Sequence, residues 1–334
     1  MISVILPIWN GEEYICECLN SLFAQTCKEY QLIVIDDGST DRTYEICRQY
    51  EDKFDNFILV HQENRGVSVA RNVGIAMASG EWITFIDVDD LIESGYLSRA
   101  EELAREHPCD MIVWDIVNIS ENGKKSLKEI GTENILWESS VDHRQLSEMV
   151  LCNKTGYSMS APYAKLYRRK LIEKNELLFP EECVLCEDRY FNFRYVQYIN
   201  SFYYDKSLVY LRQIENRSVT QRYRPNVFEE ICVTDDSLFR EMDQYYPESG
   251  EQWKNKVALS DLGYIFHGNL FHRINTKSMG EKRNELKRYL RNTASGKRIR
   301  EMRCSKLHFR EKIKLFLVRY RAVYLLSYVY GKSF

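Results

Sequence analysis

Proline is scarce in this 334-residue chain, with six, and glycine numbers only fifteen. Collagen-like and extended disordered chains need far more of both. The six histidines form no His-Glu-x-x-His, so there is no zinc centre of that kind to build. Long apolar runs are absent as well. The last uncharged stretch, 322–331, has ten residues, whereas a bilayer span needs about 20. The opening Ile2-Ser3-Val4-Ile5-Leu6-Pro7 has neither the basic n-region nor the long apolar core of a secretory signal. The expectation is a cytoplasmic protein, in which the sequons at Asn118, Asn153 and Asn216 are chance matches. A net charge of −3 argues against a dedicated nucleic-acid binder.

The composition that remains is ordinary for a globular protein, 44% apolar and 28% charged. At roughly 150 residues per domain, the length suggests about two domains. Ten cysteines are scattered, several inside apolar runs such as Ile46-Cys47. That pattern fits buried thiols in a reducing compartment better than a disulfide framework. Cys183-x-x-Cys186 has no second pair at metal spacing. Charge is unevenly placed. Residues 271–334 carry 18 Lys+Arg against 4 Asp+Glu, and residues 1–270 carry 28 against 45. An acidic body therefore precedes a basic tail.

Residues 1–120 alternate two periodicities. Short apolar runs at 2–7, 32–35, 57–60, 82–86 and 111–117 read as buried strands. Between them, 12–25, 40–50, 67–78 and 96–106 read as helices. Such alternation predicts an α/β fold with parallel strands joined by right-handed crossovers. Ligands then bind beyond the carboxyl ends of the strands. Asn10, Asp36 and Asp37, Asn64, and Asp87-Val88-Asp89-Asp90 all fall at those ends. Residues 163–167 and 203–211 add strands, and a helix starts near Glu187. From about 226 the pattern is helical, with Arg224-Pro225-Asn226 as the start signal.

Asp87-Val88-Asp89-Asp90 puts three carboxylates in four residues directly after a strand. A divalent cation would relieve their repulsion, and hard oxygen ligands suit Mg2+ or Mn2+. Alone, the run reads equally well as a solvated acidic turn. Asp36-Asp37-Gly38-Ser39 adds carboxylates at a neighbouring strand end, where one could accept the imide N–H of a uracil. Trp9 offers a π face to the base. Arg71 can pair with diphosphate oxygens or hold the acidic turn in place.

Taken in order, Ser3-Val4-Ile5-Leu6-Pro7-Ile8-Trp9-Asn10, Asp36-Asp37-Gly38-Ser39, Asn64-Arg65-Gly66, Ala70-Arg71-Asn72 and Asp87-Val88-Asp89-Asp90 resemble the family 2 glycosyltransferases of the GT-A fold. The resemblance implies an inverting, metal-dependent enzyme that uses a UDP-sugar. It places Pro7, Asp37 and Asn64 around the uridine, with Trp9 where tyrosine is usual and Asn10 beside it. It places Asp87 near the ribose or donor sugar, and Asp89 on the Mn2+ or Mg2+ that bridges the diphosphate. Ala164-Lys165-Leu166-Tyr167-Arg168-Arg169, Phe179-Pro180 and Cys186-Glu187-Asp188-Arg189-x-Phe191 resemble the acceptor-side pattern, which maps the catalytic base onto Asp188. Arg212 and Ser218-Val219-Thr220 resemble the segment that closes over the diphosphate. Gln221-Arg222-Tyr223-Arg224 falls short of the Q-x-x-R-W of processive synthases, because Pro225 stands in place of the Trp. The expected organisation is a GT-A domain over 1–222, with a donor half 1–120 and an acceptor half 121–222, then a basic helical region over 223–334.

The resemblance implies transfer to a glycan or lipid-linked glycan hydroxyl, in bacterial surface polysaccharide synthesis. Two alternatives are a polyprenyl-phosphate acceptor and a catalytically silent nucleotide-sugar scaffold. Retention of every acidic motif residue favours an enzyme. In the tail, Phe309, Ile313, Phe316, Leu317 and Tyr320 fall at helical spacing among Lys and Arg. Residues 300–334 therefore read either as a helix on an anionic, peripheral membrane surface or as one packed on the body. The same helices offer a surface for a second copy of the chain.

Overall fold

The computed structural model describes residues 1–120, 122–137, 141–152, 159–214, 223–248, 250–303, 307 and 309–330. Ser218 lies outside the described residues. The chain forms two compact units, Met1–Glu215 and Asn216–Phe334.

Among the described residues, the first unit is built on a nine-stranded sheet. Its strands are β1 (Ile2–Ile8), β2 (Tyr30–Asp36), β3 (Phe57–His61), β4 (Trp82–Phe85), β5 (Met111–Ser120), β6 (Lys125–Lys128), β7 (Ile135–Trp137), β8 (Lys165–Arg168) and β9 (Phe202–Ile214). The spatial order is β3-β2-β1-β4-β8-β5-β9-β7, with β6 paired to β5. Strands β1 to β4 run parallel, and so do β5 and β9. Strand β8 is inserted antiparallel between β4 and β5. The helices are α1 (Ile15–Phe23), α2 (Thr43–Arg48), α3 (Val67–Met77), α4 (Tyr96–Glu106), α5 (His143–Leu151), α6 (Arg169–Lys174) and α7 (Glu187–Tyr195).

Strands β1 and β2 are buried along their whole length, as continuous apolar runs in a two-sided sheet must be. Pro7 is tolerated inside β1 for a geometric reason. The Ile5 carbonyl accepts from Ile86 N–H and the Ile8 carbonyl from Asp37 N–H, so odd residues face β4. Strand β4 pairs only as far as Ile5↔Phe85, and the N–H missing at Pro7 would point past its end. Helix α3 lies close on β1. A Cβ on Gly74 would come within 2.4 Å of Ile5 Cγ2, so only glycine allows this approach, which delivers Arg71 to the sheet edge.

The helix expected over 40–50 is shorter, at Thr43–Arg48. Residues 39–41 are committed to a neighbouring loop and to Thr43 instead, as described below. Strands β6 and β7 and helix α5 were not legible. Strands β6 and β7 are short, and β6 is polar and exposed, whereas α5 is as long as α1.

Beneath the site, Phe179 stacks on Phe191 with ring centroids 4.1 Å apart, and Phe85 meets both edge-on. Each buried ring contributes roughly 1.5–3 kcal/mol. The cluster ties β4, which precedes the acidic turn, to α7, which carries Asp188. The Asn72 amide pairs with both backbone groups of Phe179, at 2.9 Å each, and fixes this segment to α3.

The β5–β9 register shifts between Trp114 and Asp115. Asp205 closes the resulting bulge by accepting from Ser207 and Leu208 N–H. The bulge re-aims the end of β9. Beside it, buried Asp115 accepts from the Tyr204 hydroxyl at 2.5 Å. Burial pushes the Asp115 carboxyl up to about 6, despite that bond. The folded chain therefore holds a proton that the unfolded chain releases near its ordinary 3.8. Stability from this group is lost as pH rises from about 4 to about 6. Asp115→Asn is expected to remove that loss, worth up to roughly 2 kcal/mol after solvent screening. Urea midpoints at pH 4.5 and 7 for both proteins check it. An unchanged pH difference would exclude Asp115 as its source.

The second unit is helical: α8 (Val227–Tyr245), α9 (Gly250–Ile265), α10 (Met279–Asn292), α11 (Ala294–Glu301), α12 (Phe309–Arg319) and α13 (Val323–Tyr330). Ser278 and Glu281 form a reciprocal capping box at α10. Among the described residues no helix is long and apolar enough to cross a membrane, and nine cysteines are free thiols.

Candidate active site

The loops after β1, β2, β3 and β4 meet at one sheet edge. Asn10, at φ 49, ties the first two together. Its side-chain oxygen accepts from Thr40 N–H at 2.8 Å, and its own N–H donates to Ser39 Oγ. Gly11 N–H donates to Thr43 Oγ1 at 2.9 Å, and Arg42 N–H donates to Glu12. Trp9, just before Asn10, is 49% exposed, which leaves its ring open to a ligand.

Asp37 is 3% exposed and anchors the loop after β3. One oxygen accepts from Gln62 Nε2 at 2.7 Å and Arg65 N–H at 2.9 Å; the other accepts from Gly66 N–H at 2.7 Å. A carboxylate has about four acceptor sites, so roughly one remains. Gly38, at φ +70, brings the loops so close that a Cβ there would lie 2.6 Å from Asn64 N. Asn64 itself is exposed on the same rim. Asp36 turns inward and pairs with His61 Nδ1 at 2.5 Å.

After β4, Asp87, Asp89 and Asp90 bring carboxylate oxygens within 4.8 Å of one another. They are not equivalent. Asp90 is buried and accepts from Gln213 N–H at 2.8 Å. Burial, with Asp87 and Asp89 nearby, pushes its carboxyl well above the usual range. Asp87 and Asp89 stay partly exposed. Asp87 N–H donates to the Tyr210 hydroxyl at 3.2 Å, and Leu91 N–H donates to the Leu211 carbonyl. The end of β9 is thus pinned under the turn. Tyr163 stacks on Tyr210 at 4.8 Å, and the Arg212 guanidinium lies 6.0 Å from the Tyr163 ring centre. Burial works against the Arg212 charge, yet Tyr163, Asp90, Asp87 and Asp89 hold it above the usual guanidinium range.

Arg71 joins this turn to the other half of the unit. It is 4% exposed. Nη1 donates to Asp188 Oδ1 at 2.6 Å and Glu187 Oε1 at 3.0 Å, and Nη2 reaches Asp87 Oδ1 at 3.5 Å. Through Asp87 the guanidinium touches the acidic turn. Burial raises the Asp188 carboxyl well above the usual range, Arg71 pulls it back, and Glu187 and Asp87 add to the rise. Asn192 Nδ2 donates to the Asp188 carbonyl and to Ser160 O, which fixes the first turn of α7.

Fully buried Lys165 donates to the Ala161 and Tyr163 carbonyls, at 2.7 and 3.2 Å. It thereby supports the loop that carries Tyr163. Burial pulls its ammonium down to about 7, and Asp188 opposes the shift.

Arg71, Asp87, Asp188 and Arg212 converge on the acidic turn, whereas Trp9, Asn10, Asp37 and Asn64 belong to the neighbouring loops. Tyr163, Tyr210 and Gln213 were not foreseen. They sit on segments far along the chain, with no motif to single them out.

A mostly parallel sheet of this order, with an acidic turn beyond β4 and a carboxylate pair opening α7, is a GT-A architecture with a C-terminal helical part. Residues 3–175 match the family described as glycosyl transferase family 2, and the chain belongs to that family. EpsH of Bacillus subtilis (strain 168), classed by its name among glycosyltransferases, is 32% identical over 230 residues, 68% of this chain and 65% of EpsH. TarS of Staphylococcus aureus (strain Mu50), a poly(ribitol-phosphate) beta-N-acetylglucosaminyltransferase, is 31% identical over 239 residues, 69% of this chain and 39% of TarS. The chain thus spans less than two thirds of either relative. The crystal structure of S. aureus TarS 1-349 in complex with UDP-GlcNAc shares the fold, with a TM-score of 0.67 and 23% identity over 99% of this chain and 92% of that one.

Proposed function

We propose that this chain transfers a hexosyl or N-acetylhexosaminyl group, with inversion, from a UDP-sugar to a hydroxyl of a glycan or lipid-linked glycan in bacterial surface polysaccharide synthesis. One observation carries the reading. A single guanidinium, Arg71, links the acidic turn to the carboxylate pair at the start of α7. The turn suits a metal-bound diphosphate, and the pair supplies a base. The names of TarS and of a Bacillus spizizenii poly(ribitol-phosphate) beta-glucosyltransferase, 31% identical over 57% of this chain, support a glycan acceptor. The TarS complex with UDP-GlcNAc supports the donor class.

Inversion needs a base opposite the leaving diphosphate to take the acceptor proton. Asp188 fits better than Glu187, because its side chain is 28% exposed against 10%. Arg71 keeps Asp188 oriented and favours its ionised form. Asp89 would hold a Mn2+ or Mg2+, with Asp87 beside it toward the ribose or donor sugar, since Asp90 is buried against Gln213 of β9; the bound ion would neutralise charge on the diphosphate. Arg212 adds positive potential beside the same turn. The acceptor site left on Asp37 takes the uracil imide N–H, and Trp9 packs on the base. Pro7, Asn10 and Asn64 shape that rim.

Thermal shift with a panel of nucleotides and nucleotide sugars in Mn2+ tests the donor. A ligand at a hundredfold excess over its Kd adds about 2.7 kcal/mol of stability. UDP and UDP-sugars are expected to raise Tm by several degrees, and GDP to do little. A preference for GDP would overturn the uridine role of Asp37.

A further inference from the structure

The helical unit carries an exposed apolar surface that the donor and base chemistry does not use. Eight of the exposed large apolar side chains lie in two consecutive helices: Phe309, Ile313, Phe316 and Tyr320 along α12 and its end, and Tyr324, Leu325, Tyr328 and Val329 on α13. They are between 43% and 76% exposed. Scattered surface apolar residues need no explanation, but a concentrated patch of this kind marks a binding surface.

The arrangement on α12 is informative. At about 100° per residue, Phe309, Ile313, Phe316 and Tyr320 fall in one stripe roughly 60° wide. Exposed Arg310 and Lys312 stand on its two shoulders. The helix's one acidic residue, Glu311, falls on the opposite side and is half-buried. The underside is fixed by Leu315, Leu317 and Val318, by Lys314 Nζ donating to the Leu259 carbonyl at 2.8 Å, and by Arg319 Nε donating to the Ile299 carbonyl at 2.8 Å. The stripe therefore faces outward on a helix that already has its partners. Helix α13 contains no charged residue, and its exposed side consists of two tyrosines, a leucine and a valine. It is held from beneath by Tyr330, whose ring lies 4.9 Å from Phe266.

We propose that α12 and α13 dock this chain on an anionic lipid bilayer. The aromatic and aliphatic stripe enters the headgroup boundary, where amphipathic rings partition well. Arg310 and Lys312 meet lipid phosphates, each adding attraction that salt screens. Charge complementarity selects this occupant: residues 271–334 carry 18 Lys+Arg against 4 Asp+Glu, and Arg300 and Arg303 near α12 are also exposed. A second copy of the same face would set its cations against identical cations. The proposal is independent of the donor and base assignments.

Vesicle flotation of the full chain tests it, on phosphatidylcholine alone and mixed with phosphatidylglycerol. The chain is expected to float with the mixed vesicles and bind pure phosphatidylcholine about tenfold more weakly. High salt should release it. Phe309→Ser/Phe316→Ser/Tyr324→Ser should abolish flotation, and Arg310→Glu/Lys312→Glu should remove the preference for anionic lipid. All five positions are exposed, and an unchanged Tm and far-UV circular dichroism spectrum show that the variants are folded. Equal binding to both vesicle types, or wild-type flotation in the triple variant, would overturn the proposal. So would failure to float together with a concentration-dependent dimer that the triple variant abolishes, since the face would then be a subunit interface.

Discussion

Asp188→Asn is expected to lower sugar transfer by about 100- to 10,000-fold, the range for loss of a general base. The substitution is nearly isosteric. Arg71 keeps Glu187 and Asp87 as partners, and the Asn192 amide still holds the backbone of residue 188. Donor binding should survive, because the acidic turn and the Asp37 loop are untouched. The measurement is initial rate with a responsive donor and acceptor, alongside thermal shift with UDP. Undiminished turnover with normal UDP binding would remove Asp188 from the base role and leave Glu187 as the remaining carboxylate of the pair.

Arg71→Met should be the most damaging single substitution on both counts, stability and turnover. Three carboxylates converge on that guanidinium, which is 4% exposed. Its removal leaves them facing one another without a counter-ion. Breaking a buried ionic group by deleting one partner costs about 3–5 kcal/mol. Asp188, no longer opposed by a cation, is pushed further toward its neutral form, which cannot take a proton. Stability is read from urea midpoints and turnover from the transfer rate. A cycle with Asp188→Asn separates the two effects. In the Arg71→Met background, Asp188→Asn should recover part of the lost stability by removing one repelling charge. Strict additivity would show that Arg71 and Asp188 do not act as a unit.

Much of the donor side was legible because its information is local. The runs that became β1 to β4 carry continuous apolar residues, and the polar residues that follow them must emerge at the same sheet edge in a parallel arrangement. What proximity added was the division of labour. Asp36 and Asp37 are adjacent in sequence, yet one pairs with His61 inside and the other anchors the loop of Asn64. Asp87, Asp89 and Asp90 read as equals, yet Asp90 is taken by the backbone of Gln213. Helix α2 starts later than its pattern implies, because Thr40 is bonded to Asn10 across the gap between loops.

The sequence by itself determined the alternation of strands and helices, the parallel direction of the first four strands and the carboxylates available at their ends. It also determined the segregation of positive charge into the last 64 residues. Only the tertiary structure decided which carboxylates share a cation. Arg71 and Asp188 are 117 residues apart, and no periodicity relates them. They meet because α3 lies on β1 through Gly74 and the Phe85, Phe179 and Phe191 rings clamp α7 to β4. Nor could spacing tell that the α12 stripe would face outward. An amphipathic pattern states that a helix has two faces, and only packing determines which of them is covered.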